Sequence, residues 1–223
     1  MSAPRLICDL DGTLADSAPS LRAAGNRLLA ELGRPPVTVE TYKTFVGRGQ
    51  RVQVRRLLEH TGGVPGEEVE PHLARFRTLY DPLEATAPMP GAREALAELR
   101  AIGWRIAVCT QKPEAKARAL LHGLGFEIDA VAGGDTLTEA DGAEILKPDP
   151  RLFAAAAGPL GDGPAFHVGD SETDAETAAN AGVPFLLFLG GYRKGEIAAR
   201  ATFDDWRTFP DLAREALTQA GGG

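Results

Sequence analysis

Cysteine is scarce in this chain, and its scarcity excludes a disulfide framework. Only two cysteines, Cys8 and Cys109, occur among 223 residues, and both lie in segments that we predict to be buried strands. The two cysteines are therefore better interpreted as small buried thiols than as a disulfide or a pair of metal ligands. Such cysteine usage is typical of a reducing compartment, and we expect the protein to be cytoplasmic.

Long apolar runs and clusters of positive charge are also missing. The longest strongly apolar run, 185–189, is far too short to cross a bilayer, and the first predicted strand begins about five residues into the chain, which leaves no room for a signal peptide. The net charge is −7, and the basic residues are scattered or in short pairs such as Arg55 and Arg56. We therefore expect neither a membrane nor a nucleic acid as a partner.

What the chain does have is a regular alternation of short apolar segments and helical patterns. With 43% hydrophobic residues it can bury one large core, or a core that carries a smaller insert. Helical patterns such as "PGAREALAELRAIG" and "SETDAETAANAG" separate the apolar segments. This order predicts an α/β fold, a doubly wound parallel sheet of the Rossmann-like type with helices on both faces. The predicted strands are 5–11, 104–110, 130–133, 165–169 and 184–189.

One segment of about seventy residues interrupts this alternation and contains no convincing strand. Four helical patterns fill it: "SLRAAGNRLLAELG", "TVETYKTFV", "QRVQVRRLLEHTG" and "EEVEPHLARFRTLYDPL". We therefore predict an α/β catalytic core of residues 1–16 and 84–223, and an inserted all-helical cap domain of residues 17–83. The joints would place the cap above the carboxyl ends of the strands, where open α/β sheets bind ligands.

Charged and polar side chains follow the predicted strands, at the edge where the carboxyl ends of parallel strands meet. Neighbouring carboxylates repel each other unless a cation or a proton is shared between them. Carboxylate and carbonyl oxygens together with waters are the ligands that Mg²⁺ prefers. The sequence therefore predicts a magnesium site and phosphoryl-transfer chemistry at this edge. The residues concerned are Asp9, Asp11, Thr110, Lys112, Lys147, Asp170 and Asp174.

Each of these motifs, taken alone, also has a purely structural interpretation. A pair such as Asp9 and Asp11 is most often a solvated turn, and a motif such as "GDSETD" can cap a helix. Lys147 alone would be an ordinary loop lysine. Four such motifs in a fixed order, each just past a predicted strand, favour the functional interpretation. His167, on an apolar strand, is better explained as a core histidine than as a ligand.

The segments "DLDGT", "CTQK", "LKPDP" and "GDSETD" resemble, in this order, the four motifs of the haloacid dehalogenase-like hydrolase superfamily, over about residues 5–189. The helical insert after the first motif is similar to that of the phosphoglycolate phosphatase branch. The resemblance implies a magnesium-dependent phosphatase that forms an aspartyl-phosphate on a small phosphorylated metabolite, with 2-phosphoglycolate favoured. The same core residues would serve a phosphosugar mutase like β-phosphoglucomutase or a broad-specificity phosphatase of small metabolites.

The resemblance also implies a role for each matching residue. Asp9 would attack phosphorus, while Asp11 would protonate the leaving alcohol and later deprotonate the attacking water. Asp170 would complete the magnesium site with Asp9 and the Asp11 carbonyl. Thr110 and Lys147 would hold the phosphoryl oxygens, and Asp174 would orient Lys147 or metal-bound water. Gly12 and Gln111 would contact the substrate, with Gln111 at a position where the branch often has asparagine.

The cap loop "FVGRGQR" supplies a candidate for substrate recognition. Two glycines flank Arg48, which suits a tight turn that holds the guanidinium over the active site, where it pairs bidentately with a carboxylate.

Other activities fit the sequence less well. A dehalogenase would not need Asp11 as a proton donor, and a phosphonate hydrolase of this cap type needs a cap lysine for an imine. Arginine cannot form that imine, and Lys43 is the only lysine of the predicted cap. The intact acids and Lys147 argue against a catalytically silent binding module. The sequence does not distinguish a monomer from a dimer.

Overall fold

A six-stranded sheet forms the centre of the fold in the computed structural model, which describes residues 2–220. The strands are β1 (Arg5–Cys8), β2 (Ala15–Asp16), β3 (Ala87–Pro88), β4 (Arg105–Cys109), β5 (Ala130–Ala132), β6 (Ala165–Gly169), β7 (Phe185–Phe188) and β8 (Ala201–Phe203). The strand order in the sheet is β5-β4-β1-β6-β7-β8, and its neighbouring strands pair in parallel. A separate antiparallel pair joins β2 to β3.

Helices cover both faces of the sheet, because successive side chains of each strand point to opposite faces. The helices are α1 (Ala18–Glu31), α2 (Val39–Lys43), α3 (Gly49–His60), α4 (Glu70–Leu79), α5 (Ala92–Ala101), α6 (Glu114–Gly123), α7 (Pro150–Ala157), α8 (Glu172–Ala181) and α9 (Phe209–Ala220). In β1, Leu6 and Cys8 pack with α5, α6 and α9, whereas Ile7 packs with α7 on the other face. The predicted α/β fold with a doubly wound parallel sheet is confirmed.

The strands differ from the sequence prediction in two respects. β1 ends at Cys8 rather than at residue 11, because the backbone turns at Gly12, where φ is 91°, and its N–H donates to the carbonyl of Ala15. The strands β2, β3 and β8 were not predicted, since β2 and β3 hold only two residues each and β8 buries only Phe203 of its three, so that neither a strand period nor an apolar run shows in the sequence. Both predicted thiols, Cys8 and Cys109, are buried and free.

The helices α1 to α4 occupy the segment for which four helical patterns were predicted, and they have a hydrophobic cluster of their own. Leu28 of α1, Leu57 of α3 and Phe76 of α4 are among its buried members. Gly25 lets α1 pack closely against Tyr42 of α2, because a Cβ at position 25 would lie 2.7 Å from the Tyr42 ring. The boundaries of the predicted cap, residues 17–83, stay a prediction. Between residues 2 and 220, none of the helices has the length and hydropathy needed to cross a bilayer.

Candidate active site

The loop after β1 brings two acids to the carboxyl edge of the sheet. Asp9 follows the end of β1 directly, and Asp11 follows after one leucine. Gly12 lies against Asp170, since a Cβ at position 12 would come within 2.6 Å of Asp170 Oδ2. The positive φ and this close approach together explain why glycine stands here.

Lys147 links two carboxylates in the interior of the site. Its Nζ lies 2.8 Å from Asp9 Oδ1 and 2.7 Å from Asp174 Oδ1, and the residue is only 6% exposed. Burial alone would lower the pKa of Lys147, but Asp174 and Asp9 hold that pKa above its ordinary range. Lys147 therefore remains a cation that can hold an anionic group at this position.

Asp174 is fixed on both of its oxygens. Ser171 donates to Oδ2 from its N–H, at 3.1 Å, and from its hydroxyl, at 2.6 Å, while Oδ1 faces Lys147. Burial would raise the pKa of Asp174, but Lys147 and His167 outweigh burial and lower it. His167 is fully buried, as predicted for a core histidine; its Nδ1 donates to the Ile7 carbonyl at 2.9 Å, and its Nε2 lies 3.4 Å from Asp174.

Asp9 and Asp170 carry carboxyl groups whose pKa is raised. Burial, and after it the charge of Asp174, raises the pKa of Asp9 to about 6 against the opposing effect of Lys147. Burial, Asp174 and Asp9 raise the pKa of Asp170 well above its ordinary value. The hydroxyl of Thr13 and the N–H of Tyr192 each donate to Asp170 at 2.6 Å and hold it in place.

These acids form a group that fits a divalent cation. Asp9, Asp170 and Asp174 each offer a carboxylate oxygen, and the three oxygens lie within 4.8 Å of one another. Buried carboxylates at this separation repel one another, and oxygen donors of this kind suit a hard divalent cation. Burial raises the pKa values of Asp9 and Asp170 most, and repulsion from the neighbouring acids, which a cation would relieve, raises them further.

The carboxylate of Asp11 faces a different partner, Lys112. Lys112 Nζ lies 3.0 Å from Asp11 Oδ1 and donates to the Tyr80 hydroxyl at 2.7 Å, and the hydroxyl of Ser17 donates to Asp11 at 2.6 Å. Lys112 is 3% exposed. The sequence placed Lys112 at a strand end but gave it no role, because its burial depends on Tyr80, which follows α4.

The residues at the end of β4 contact both the site and the helical segment. Thr110 is buried and lines a small cavity of about 40 Å³ together with Asp9 and Lys147. Gln111 donates through Nε2 to the Gly47 carbonyl at 2.9 Å, and Thr173 donates to the same oxygen at 3.1 Å. The side chain of Gln111 therefore ties the loop before α3 to the edge of the sheet.

A second, larger cavity of about 320 Å³ extends from the acids toward α3. Arg48 is exposed at its wall, in the predicted turn, between Gly47 and Gly49 with φ of 113° and 79°. Asp9 and Asp11 line this cavity as well as the smaller one.

Two glutamines of α3 that the sequence analysis did not single out, Gln50 and Gln53, line the smaller cavity. Both are buried, and Gln53 Oε1 has no hydrogen-bond partner among the described residues. Their spacing on the apolar face of an amphipathic helix was the available signal.

Residues 5–182 match the haloacid dehalogenase-like hydrolase family. The chain belongs to this family. A phosphoglycolate phosphatase from Cereibacter sphaeroides is 40% identical over 222 residues, which cover 96% of this chain and 99% of the relative. A phosphoglycolate phosphatase from Rhodospirillum rubrum is also 40% identical, over 97% of this chain and 92% of its own length.

Solved structures of the family have the same fold. A predicted phosphoglycolate phosphatase from Haemophilus somnus superposes with a TM-score of 0.84 at 25% identity, over 96% of this chain and 99% of that one. CbbY from Rhodobacter sphaeroides, solved in complex with phosphate, gives a TM-score of 0.69 at 26% identity, over 93% and 96% of the two chains. The family resemblance stated from the four motifs is confirmed, and this hydrolase carries at its sheet edge the acidic cluster suited to the divalent metal that phosphatases of its family use.

Proposed function

We propose that this hydrolase is a magnesium-dependent phosphatase of small phosphomonoesters, with 2-phosphoglycolate as its favoured substrate. The observation that carries the proposal is the buried group in which Lys147 contacts Asp9 and Asp174 beside Asp170. The two relatives that are 40% identical and bear the name phosphoglycolate phosphatase support the choice of substrate. We expect the enzyme to act in the cytoplasm on a small phosphorylated metabolite.

Asp9 is the proposed nucleophile. Lys147 holds Asp9 Oδ1 at 2.8 Å and thereby fixes the orientation of the carboxylate. In the first step a bond forms between an Asp9 oxygen and phosphorus, and the bond from phosphorus to the alcohol oxygen breaks while Asp11 gives that oxygen a proton. In the second step Asp11 takes a proton from water, the water oxygen bonds to phosphorus, and Asp9 leaves. Splitting one displacement in this way makes each step easier.

The other residues position the phosphoryl group and its charge. Asp9, Asp170 and the Asp11 carbonyl would hold magnesium, which supplies neutralisation of phosphoryl charge when bound. Lys147 and Thr110 would bind phosphoryl oxygens. Lys147 Nζ lies 2.7 Å from Asp174 Oδ1, so we assign Asp174 the orientation of Lys147.

Arg48 would contact the carboxylate of 2-phosphoglycolate. It lines the cavity that also contains Asp9 and Asp11. A guanidinium presents donors in a fixed fork that matches a carboxylate.

A panel of phosphate esters assayed with magnesium tests the proposal. The panel contains 2-phosphoglycolate, p-nitrophenyl phosphate and β-glucose 1-phosphate, and kcat/KM is measured for each. We expect the highest value for 2-phosphoglycolate and no turnover in excess chelator. Isomerisation of the sugar phosphate without net phosphate release would instead favour the phosphosugar mutase, and equal values for all esters would favour the broad-specificity phosphatase.

A further inference from the structure

Three basic side chains line the larger cavity, on segments far apart in sequence. Arg48 precedes α3, Arg56 lies within α3, and Lys194 follows β7. Over residues 2–220, none of the three forms an ion pair with a carboxylate, and the contact found for the Arg56 guanidinium is with the Phe45 carbonyl at 3.3 Å. These three side chains therefore form a cationic wall of the cavity, and none of them is neutralised by an ion pair within the described residues.

The three cations are close enough to influence one another. Burial, and after it the charge of Arg56, lowers the pKa of Lys194, and Arg48 acts in the same direction. Glu172 also lines the cavity and opposes this effect; its Oε1 accepts from the backbone N–H of Lys194 at 3.2 Å. Glu172 is thus the carboxylate beside the three cations, while the other carboxylates that line the cavity, Asp9, Asp11 and Asp170, belong to the proposed metal site. The three cations are therefore available to an anionic ligand.

The same cavity also reaches the acids of the active site. Asp9, Asp11 and Asp170 line it, and its volume is about 320 Å³. Under the proposed function, the phosphoryl group of the substrate lies at Asp9. A short molecule with a phosphate at one end and a second anion at the other can therefore contact the acids, through their metal, and the cationic wall at the same time.

We propose that Arg56 and Lys194, together with Arg48, form a subsite for a carboxylate on the alcohol part of the substrate. The proposal rests on the proposed function, which places the phosphoryl group at Asp9, and it adds two residues that lie outside the four motifs. Arg56 comes from the helical segment and Lys194 from the region after β7, so the subsite is complete only where the two segments meet.

The test compares two esters that differ in the carboxylate. Ethyl phosphate is 2-phosphoglycolate with a methyl group in place of that carboxylate. The kcat/KM for 2-phosphoglycolate divided by the kcat/KM for ethyl phosphate therefore isolates the contribution of the carboxylate. A hydrogen bond to a charged group of this kind corresponds to roughly a 10-fold change. We expect Arg56→Gln to lower the ratio by about 10-fold and Lys194→Gln to lower it by about 3-fold or more.

Arg55→Gln is the matched control. Arg55 lies beside Arg56 on α3, is exposed, and is not among the residues that line the cavity, while its replacement changes the net charge equally. We expect the ratio in this variant to stay within about twofold of wild type. An equal fall in Arg55→Gln and Arg56→Gln would overturn the subsite, because it would reveal a general charge effect.

Binding separates a failure of the subsite from a failure of the proposed function. Affinities of both esters for the Asp9→Asn protein with magnesium are measured by calorimetry, alone and combined with Arg56→Gln or Lys194→Gln. If neither replacement changes the affinity ratio or the kcat/KM ratio, the subsite is wrong even though wild type hydrolyses both esters. If wild type hydrolyses neither ester but Arg56→Gln still lowers the affinity ratio, the subsite stands and the proposed function fails. Lys194→Gln, at an exposed side chain, decides the matter if Arg56→Gln does not fold.

Discussion

Lys147 offsets part of the negative charge of the site. It lies within 2.8 Å of Asp9 and 2.7 Å of Asp174, and it is the cation held between these buried acids. One lysine does not neutralise three carboxylates, and burial, with the charges of the neighbouring acids after it, keeps the pKa values of Asp9 and Asp170 raised. The residual negative charge favours the binding of a divalent cation at this site.

The pKa of Asp9 predicts a pH-dependent effect of magnesium on stability. The unfolded chain ionises Asp9 near its ordinary pKa of 3.8, and the folded chain does so near 6. Between these values the folded state binds more protons, so the contribution of Asp9 to metal-free stability falls as pH rises. Above about pH 6 the carboxylates are ionised and would bind magnesium, so we expect magnesium to raise Tm by roughly 5 °C at about pH 7.5 and much less at about pH 5. Differential scanning calorimetry at the two pH values, with magnesium and with chelator, measures these changes in Tm.

Asp170→Asn is the control for that experiment, since it removes one charge at nearly constant shape. We expect it to abolish most of the magnesium-dependent gain in Tm. Equal gains in wild type and Asp170→Asn, or equal gains at both pH values, would show that magnesium stabilises the protein somewhere else.

Replacement of Lys112 is expected to lower the stability of the protein whether or not a metal is bound. Lys112→Met removes the cation beside Asp11 and the donor to Tyr80, and Asp11 is partly exposed, so the cost is smaller than for a fully buried pair. We expect the free energy of unfolding to fall by about 2 kcal/mol. Urea denaturation measures it, with Lys116→Met as a control that should stay within about 0.5 kcal/mol of wild type. A loss of the same size in both variants would contradict the assignment.

At the scale of elements, close packing of α1 against its neighbours predicts an unusual effect of alanine. Alanine normally stabilises a helix relative to glycine by about 1 kcal/mol. At Gly25 the added Cβ would lie 2.7 Å from the Tyr42 ring and 3.0 Å from Leu57, and overpacking costs about 1–3 kcal/mol. We expect Gly25→Ala to lower the free energy of unfolding by about 1 kcal/mol.

Gly158→Ala is the matched replacement, because φ is −55° there and no atom lies within 4 Å of the added Cβ. It should be neutral or stabilising by about 0.5 kcal/mol. If denaturation shows both alanine variants to be stabilised, the close approach at Gly25 is wrong.

The elements also show what the sequence could and could not predict. Strand β1 and the helix α8 were recognisable, because a buried apolar run and a capped helical pattern are local signals. β2 and β3 hold only two residues each, and their pairing depends on two segments about seventy residues apart. The turn at Gly12 ended β1 early for a local reason, a positive φ, which a continuous pattern did not reveal.

Within the site, the sequence predicted residues whose roles follow from motif position, and it missed those whose roles follow from distant contacts. Asp9 follows β1 directly and Asp170 follows β6 directly, so their convergence at the sheet edge was predictable, whereas Lys147 lies in the loop before α7 and was found through its motif. Arg56 and Lys194 line one cavity from opposite ends of the chain, and no local pattern brings them together.

At the scale of the whole molecule, Tyr192 connects parts that are distant in sequence. Its ring packs in the hydrophobic cluster of α1 to α4, although it follows β7. Its hydroxyl donates to Asp16 at 2.6 Å and accepts from the Ala18 N–H at 3.0 Å, while its own N–H donates to Asp170. The proposed metal site, the start of the helical segment and its core thus share one residue.

The charge of the whole chain is opposite to that of the cationic wall. A net charge of −7 repels anions at long range, so a phosphorylated substrate depends on local positive charge for its binding. Salt screens such exposed charges, whose interactions fall off over roughly 10 Å at moderate ionic strength.

Asp9 is the proposed nucleophile that attacks phosphorus, and the turnover of Asp9→Asn tests this role most directly. Asparagine has nearly the same shape, so the variant should keep the far-ultraviolet circular dichroism of wild type. We predict that kcat for 2-phosphoglycolate and for p-nitrophenyl phosphate falls by at least about 1000-fold in the folded variant with saturating magnesium. Activity close to that of wild type in a folded Asp9→Asn protein would contradict the account.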